Sequence, residues 1–143
     1  MMGKLKIYFA GSISGGRQYV KTYEAAIKFL GKFGEVLTKH VGDPNLTDKG
    51  QKEPPDVIFE RDSRLLDSCD ILIAHISQPS LGVGYEIGRA EAAGKPIVCL
   101  WEETKEKRFP PMIAGNSGVK IIAYNSQKDL ESQLTETLAR VFA

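Results

Sequence analysis

A carboxylate, Glu86, stands inside Ser80-Leu81-Gly82-Val83-Gly84-Tyr85-Glu86-Ile87-Gly88-Arg89-Ala90, a glycine-spaced stretch that reads as a turn opening into a helix. Ser80 is placed to cap that helix, and Gly82 and Gly84 let backbone approach a ligand where a side chain would collide. The N–H groups and positive dipole end of such a helix start favour an anion, a bound phosphate or the ionised Glu86 itself. A lone Glu there is also explained as a favourable first-turn charge. A second carboxylate, Asp62, lies four residues after Ile58 and three before Leu65, inside the apolar stripe Ile58, Leu65, Leu66 and Cys69 of a helix expected over about Asp56 to Ser68. A carboxylate on a buried face costs free energy unless something pairs with it. Asp62 is therefore expected either to bond backbone or an arginine such as Arg17, or to be a raised-pKa or substrate-binding acid.

A second glycine turn, Gly11-Ser12-Ile13-Ser14-Gly15-Gly16-Arg17, follows the first apolar strand. It fits neither the dinucleotide fingerprint, which wants glycine at Ile13, nor the phosphate loop of nucleoside triphosphatases, which wants lysine followed by Ser or Thr. Its parts still suit a phosphate: N–H groups around Gly15 and Gly16, the Ser12 and Ser14 hydroxyls, and the forked cation of Arg17. Taken alone it is equally an ordinary turn. Tyr8, near the end of that strand, reads as a core aromatic or a ligand-facing hydroxyl, His40 as a capping or ligand-facing group at the end of a second strand, and His75 as a core histidine. No Cys/His cluster has metal-ligand spacing and no Gly-x-Ser-x-Gly turn occurs, so a metal hydrolase or serine hydrolase is not expected, nor any metal or cofactor.

The elements that must position these groups alternate. Strands are expected over Leu5–Ala10, Glu35–His40, residues 70–76, Ile97–Trp101 and Lys120–Tyr124, with helices after each turn, one ended by Gly34 and one running over Gly82–Ala93 to Gly94. The polar Val41–Pro55 segment is a candidate lid, Glu102–Gly118 a second loop-rich segment, and Leu130, Leu134, Leu138 and Val141 mark a closing amphipathic helix. Strands separated by helices imply right-handed βαβ units, hence an α/β, three-layer Rossmann- or flavodoxin-like fold with five parallel strands in the order 2-1-3-4-5. In that order the two glycine turns flank the topological switch point where such sheets bind ligands.

The chain of 143 residues, 42% hydrophobic and 26% charged, is expected to form one domain over residues 1–143. A formal charge of +1 without a basic stripe argues against a nucleic-acid polymer and for a small ligand. No secretory signal is visible and no apolar run approaches the ~20 residues of a membrane span, so a cytoplasmic protein is expected, with no membrane partner and with Cys69 and Cys99 as buried free thiols. Asp48, Glu53, Glu102, Glu103 and Glu106 read as solvated loop charges.

Together, Tyr8-Phe9-x-Gly11-Ser12-Ile13-x-Gly15-Gly16-Arg17, Val36-Leu37-Thr38-x-His40-Val41, the Asp62 helix and Gln78-Pro79-Ser80-Leu81-Gly82-Val83-Gly84-Tyr85-Glu86-x-Gly88-Arg89-Ala90 resemble the 2′-deoxynucleoside 5′-phosphate N-hydrolases of the nucleoside 2-deoxyribosyltransferase superfamily. The likeness runs from Lys6 to about Ala114, in the same order. It implies that Glu86 attacks C1′ of the deoxyribose, that Asp62 assists at the sugar and leaving base, and that Tyr8 orients the nucleophile; carboxylate chemistry adds the expectation that Asp62, held neutral by burial, donates the proton with which the base leaves. It implies further that Gly11, Ser12, Ile13, Ser14, Gly15, Gly16 and Arg17, with Ser80 and Gly82, hold the 5′-phosphate and sugar, and that His40 lies near the base. The resemblance also implies a homodimer in which the Met112 segment closes the other subunit's pocket. Where mammalian members carry a phosphate-binding serine two residues before that methionine, this chain has Pro110, which has no donor. The expected activity is hydrolysis of 2′-deoxynucleoside 5′-monophosphates through a glutamyl–deoxyribosyl ester. The alternatives are a deoxyribosyltransferase passing the sugar to a second base and a non-catalytic nucleotide-binding module.

Overall fold

The computed structural model describes residues 4–104 and 108–143; Glu106 lies outside them. Five strands, β1 (Leu5–Ala10), β2 (Gly34–Val36), β3 (Ile71–His75), β4 (Ile97–Glu102) and β5 (Lys120–Tyr124), pair in parallel in the order β2-β1-β3-β4-β5. This is the expected sheet. The helices are α1 (Val20–Leu30), α2 (Pro55–Ser68), α3 (Leu81–Ala92), the single turn α4 (Pro111–Ala114) and α5 (Gln127–Val141).

Strand side chains alternate between faces, and β1 sorts its residues accordingly. Ile7 and Phe9 join Tyr23, Leu30, Leu130 and Leu134 in the core under α1 and α5. Tyr8 and Ala10 join Leu66, Val83 and Ile87 under α2 and α3. Tyr8 thus shares a face with the helices that carry Asp62 and Glu86. His75 falls on the opposite face, fully buried, where its Nε2 lies 2.6 Å from the Tyr124 hydroxyl, as a core histidine should.

The second strand is shorter than its apolar run suggests. Leu37 N–H still donates to Ile7 C=O at 2.9 Å, but Thr38 then substitutes its side chain for the ladder: Oγ1 donates to Phe9 C=O at 2.6 Å and accepts from Phe9 N–H at 2.9 Å. With the sheet edge satisfied by a hydroxyl, the backbone turns into a 3-10 helix over Lys39–Gly42. His40 therefore sits in that turn and not at a strand end. Gly34 does not end α1 either. The helix stops at Leu30, and Gly34 opens β2, where a Cβ would collide with the Leu5 carbonyl. Gly94 does close α3, at φ +73°.

Candidate active site

Ser80 caps α3 as its position predicts, its Oγ accepting from Val83 N–H at 3.3 Å. The loop that follows β1, residues 11–17, lies directly against this cap: a Cβ on Gly15 would come within 2.7 Å of the Pro79 carbonyl, and Gln78 Nε2 donates to Gly15 C=O at 2.9 Å. The two glycine turns therefore form one rim. Gly16 takes φ +128°, a conformation side chains rarely adopt. By contrast a Cβ at Gly82 would meet nothing nearer than 3.9 Å and one at Gly84 nothing within 4 Å, so their bareness leaves room beside the helix start for a ligand.

Below the rim, Glu86 projects from the second turn of α3 towards β1, and the Tyr8 hydroxyl donates to its Oε2. Burial raises the Glu86 pKa to about 7, the nearby Asp62 charge adds to the rise, and the tyrosine hydrogen bond opposes it. Burial, then the Glu86 charge, push the Tyr8 hydroxyl far above its usual range, so it remains a donor. A carboxyl group poised near neutrality against a locked donor is the arrangement expected of a nucleophile or proton carrier.

These side chains face a cavity of about 420 Å³ lined also by Asp62, Gly11, Ile13, Ser14, His40, Ser80 and Gly82. A larger cavity of about 900 Å³ adjoins it, sharing Ser14, Ser80, Gly82 and Val83, and adds Gly15, Trp101, Arg108 and Pro110. The smaller one holds the titratable groups and is the better candidate for bond chemistry; the shared rim belongs to both. Burial lowers the pKa of His40, so near neutral pH its imidazole is uncharged, a hydrogen-bonding rather than an ionic neighbour.

Two of the expected residues behave differently. Asp62 is not sealed in apolar packing: its side chain is 22% exposed on the cavity wall and it forms an ion pair with Arg61, Nε to Oδ1 at 3.1 Å. The helix stripe that contains it covers a void at this point, with only Leu66 of α2 fully buried. Its partner is thus Arg61 rather than Arg17. Arg17 spends its fork on the protein itself, donating to the carbonyls of Leu46 (2.9 Å), Ser12 (2.9 Å), Val41 (2.8 Å) and Asp43 (3.0 Å). It staples the 41–46 segment to the first glycine loop and shapes the rim. Met112 is 86% exposed and lines neither cavity.

Ser12 is fully buried, its N–H donating to the Tyr23 hydroxyl at 3.1 Å, while its Oγ has no hydrogen-bond partner among the described residues. Residues given no role from sequence also line the smaller cavity: Gly50 and Gln51 from the 43–54 segment, Phe59 from α2, and Tyr85 and Arg89 from α3. Arg89 grips Asp67 with two bonds of 3.1 and 3.0 Å and so clamps α3 to α2. Among the described residues no group of three or more His, Cys, Asp or Glu is placed to hold a metal ion, and no helix is long and apolar enough to cross a membrane.

The family model described as nucleoside 2-deoxyribosyltransferase matches residues 7–133. The chain is 43% identical over 128 residues to 5-hydroxymethyl-dUMP N-hydrolase of Danio rerio, covering 89% of this chain and 90% of that one. It is 39% identical over 135 residues to a putative 2′-deoxynucleoside 5′-phosphate N-hydrolase 1 of Syntrophotalea carbinolica, covering 94% and 95%. Among solved structures, the CMP N-glycosidase BcmB of Clostridium botulinum superposes with a TM-score of 0.64 at 28% identity, over 91% of this chain and 98% of that one.

Proposed function

Because the chain belongs to the nucleoside 2-deoxyribosyltransferase family, we propose that it hydrolyses the N-glycosidic bond of 2′-deoxynucleoside 5′-monophosphates to the free base and 2-deoxyribose 5-phosphate. The observation that carries this reading is Glu86, a desolvated carboxyl locked to Tyr8 and opening on a cavity rimmed by two glycine turns. The names of the relatives, N-hydrolases of deoxynucleotides, support it.

In the reaction, ionised Glu86 forms a bond from one carboxylate oxygen to C1′ while the C1′–N bond breaks and its electron pair leaves with the base nitrogen. Tyr8 holds the other oxygen in place. The base takes a proton from water, and the hydroxide equivalent opens the ester at C1′, so one water is consumed and Glu86 is restored. Asp62, paired with Arg61, acts as an acceptor towards the sugar and stabilises the positive charge that develops at C1′. Residues 11–16, Ser80 and Gly82 hold the phosphate, with Arg17 holding that loop in shape through its carbonyl bonds; His40 lies near the base, and the whole of residues 1–143 works as one domain. The Met112 segment, exposed together with Leu81 (97%), completes the site of a second copy in a homodimer.

With Arg17 committed to carbonyls and Pro110 without a donor, the cation for the phosphate is Arg108, which lines the adjoining cavity beside Ser14, Gly15 and Ser80. Arg108→Gln is expected to lower kcat/KM for a deoxynucleoside monophosphate about tenfold and to leave the free deoxynucleoside unchanged.

Incubating the protein with each deoxynucleoside 5′-monophosphate, the deoxynucleoside and the ribonucleotide, and following free base by chromatography, tests the reading directly. Base release from the monophosphate is expected. No release from any of them removes the proposal. A second free base in the same reaction checks the family's other chemistry: appearance of a new deoxynucleotide would make the protein a transferase.

A further inference from the structure

Beside the two carboxylates sits an arginine to which the proposed reaction gives no step of its own beyond pairing with Asp62, and it touches two of the walls of the catalytic cavity. Arg61 Nε donates to Asp62 Oδ1 at 3.1 Å, Nη1 donates to Glu53 Oε2 at 2.8 Å, and Nη2 donates to the side-chain oxygen of Gln51. Consecutive helix residues point about 100° apart and do not normally face each other. The Arg61–Asp62 bond forms while both Nη atoms of the same guanidinium are held by the 51–53 segment. Gln51 lines the same cavity as Asp62 and Glu86. A single planar fork thus joins the segment over the cavity to one oxygen of the acid facing it.

We propose that Arg61 is a positioning residue, which fixes Asp62 Oδ1 so that Oδ2 is presented to the substrate, and which makes that presentation depend on the 51–53 segment being seated. The proposal rests on the reading that Asp62 meets the deoxyribose. The other charged or titratable groups on the same cavity are Tyr8 from β1, Tyr85, Glu86 and Arg89 from α3, and His40 from the 3-10 turn, so a misplaced Asp62 would be felt at the nucleophile as well as at the sugar. A lysine could keep the charge but not the fork: as a point donor it cannot hold Asp62, Glu53 and Gln51 at once in a plane.

The test is a double-mutant cycle in base release from a deoxynucleoside monophosphate. Arg61→Gln is expected to lower kcat about tenfold or more with KM changed less than about threefold, since a positioning loss falls on the transition state. Arg61→Lys recovers part of that loss, and Glu53→Gln, which leaves the Arg61–Asp62 bond intact, costs less than either. In an Asp62→Asn background, read by single turnover at high enzyme concentration, Arg61→Gln is expected to change the rate less than about twofold. The same fold loss in the native and the Asp62→Asn backgrounds would overturn the proposal, as would an unchanged kcat in Arg61→Gln. Thermal melts of all variants guard against misfolding, and the Lys and Glu53 variants carry the test should the Gln variant be unstable. Wild-type protein that releases no base would instead refute the enzymatic reading itself.

Discussion

Tyr8 and Tyr124 sit on opposite faces of one sheet, and each ends in a hydroxyl bonded to a titratable partner. Tyr124 meets His75 Nε2 at 2.6 Å, and the rings of Tyr19 and Tyr23 pack on that imidazole at centroid distances of 5.2 and 5.3 Å. Tyr8 meets Glu86. In both cases burial pushes the tyrosine pKa upward. The difference is in what lies beyond the pair: packed side chains for His75, a cavity for Glu86. A buried, partnered, shifted group is therefore structural when its environment is filled and a candidate for chemistry when it borders space a ligand could enter.

The comparison is broken most sharply by altering each member of the cavity-facing pair in turn. Glu86→Gln, nearly isosteric, should cut base release by at least about 10³-fold and leave the protein folded; turnover within tenfold of wild type would mean that the cavity-facing pair is as structural as the sealed one. Tyr8→Phe should lower kcat about ten- to a hundredfold. Because the Tyr8 hydrogen bond lowers the Glu86 pKa, the same variant should move the pH–rate limb upward, and a limb that stays put would separate Tyr8 from the group that titrates in the reaction.

In the unmodified protein kcat/KM should rise with pH with a midpoint near 7, since Glu86, as the proposed nucleophile, must be ionised and burial raises its pKa to about 7. The sign for stability is the reverse. The folded state binds the Glu86 proton more tightly than the unfolded chain does, so stability falls as pH rises from about 4.5 to about 7, and Glu86→Gln should flatten that slope in urea titrations. The smallest effect on activity belongs to the other face. Tyr124→Phe should cost about 1–2 kcal/mol of stability by removing that bond to His75 and change kcat less than about twofold.

What the sequence makes readable is whatever depends on local pattern. The 70–76 apolar run, the Ser80 cap, the Gly94 ending and the alternation that puts Tyr8 and Phe9 on different faces all follow from period and turn chemistry, and together they bring Tyr8, Glu86 and both glycine turns to one cavity. What it hides depends on long side chains reaching backbone far away. Nothing near Arg17 announces that its donors will be used by carbonyls 5 to 29 residues away, and helical spacing argues against a bond between adjacent Arg61 and Asp62. Thr38 replaces a strand rung with its own hydroxyl, which moves His40 off the strand, and that trade is invisible until the neighbouring Phe9 is in place. The Asp62 stripe misleads for a related reason: periodicity identifies an inward face but not whether the inside is packed or hollow.

The Arg17 staple also bears on what entry of a ligand must cost. Two stretches of chain distant in sequence are welded by a single guanidinium before anything arrives, so the doorway stands already built and an incoming molecule need not organise it. The residue responsible would contribute without ever meeting its guest, as a hinge pin does for a door.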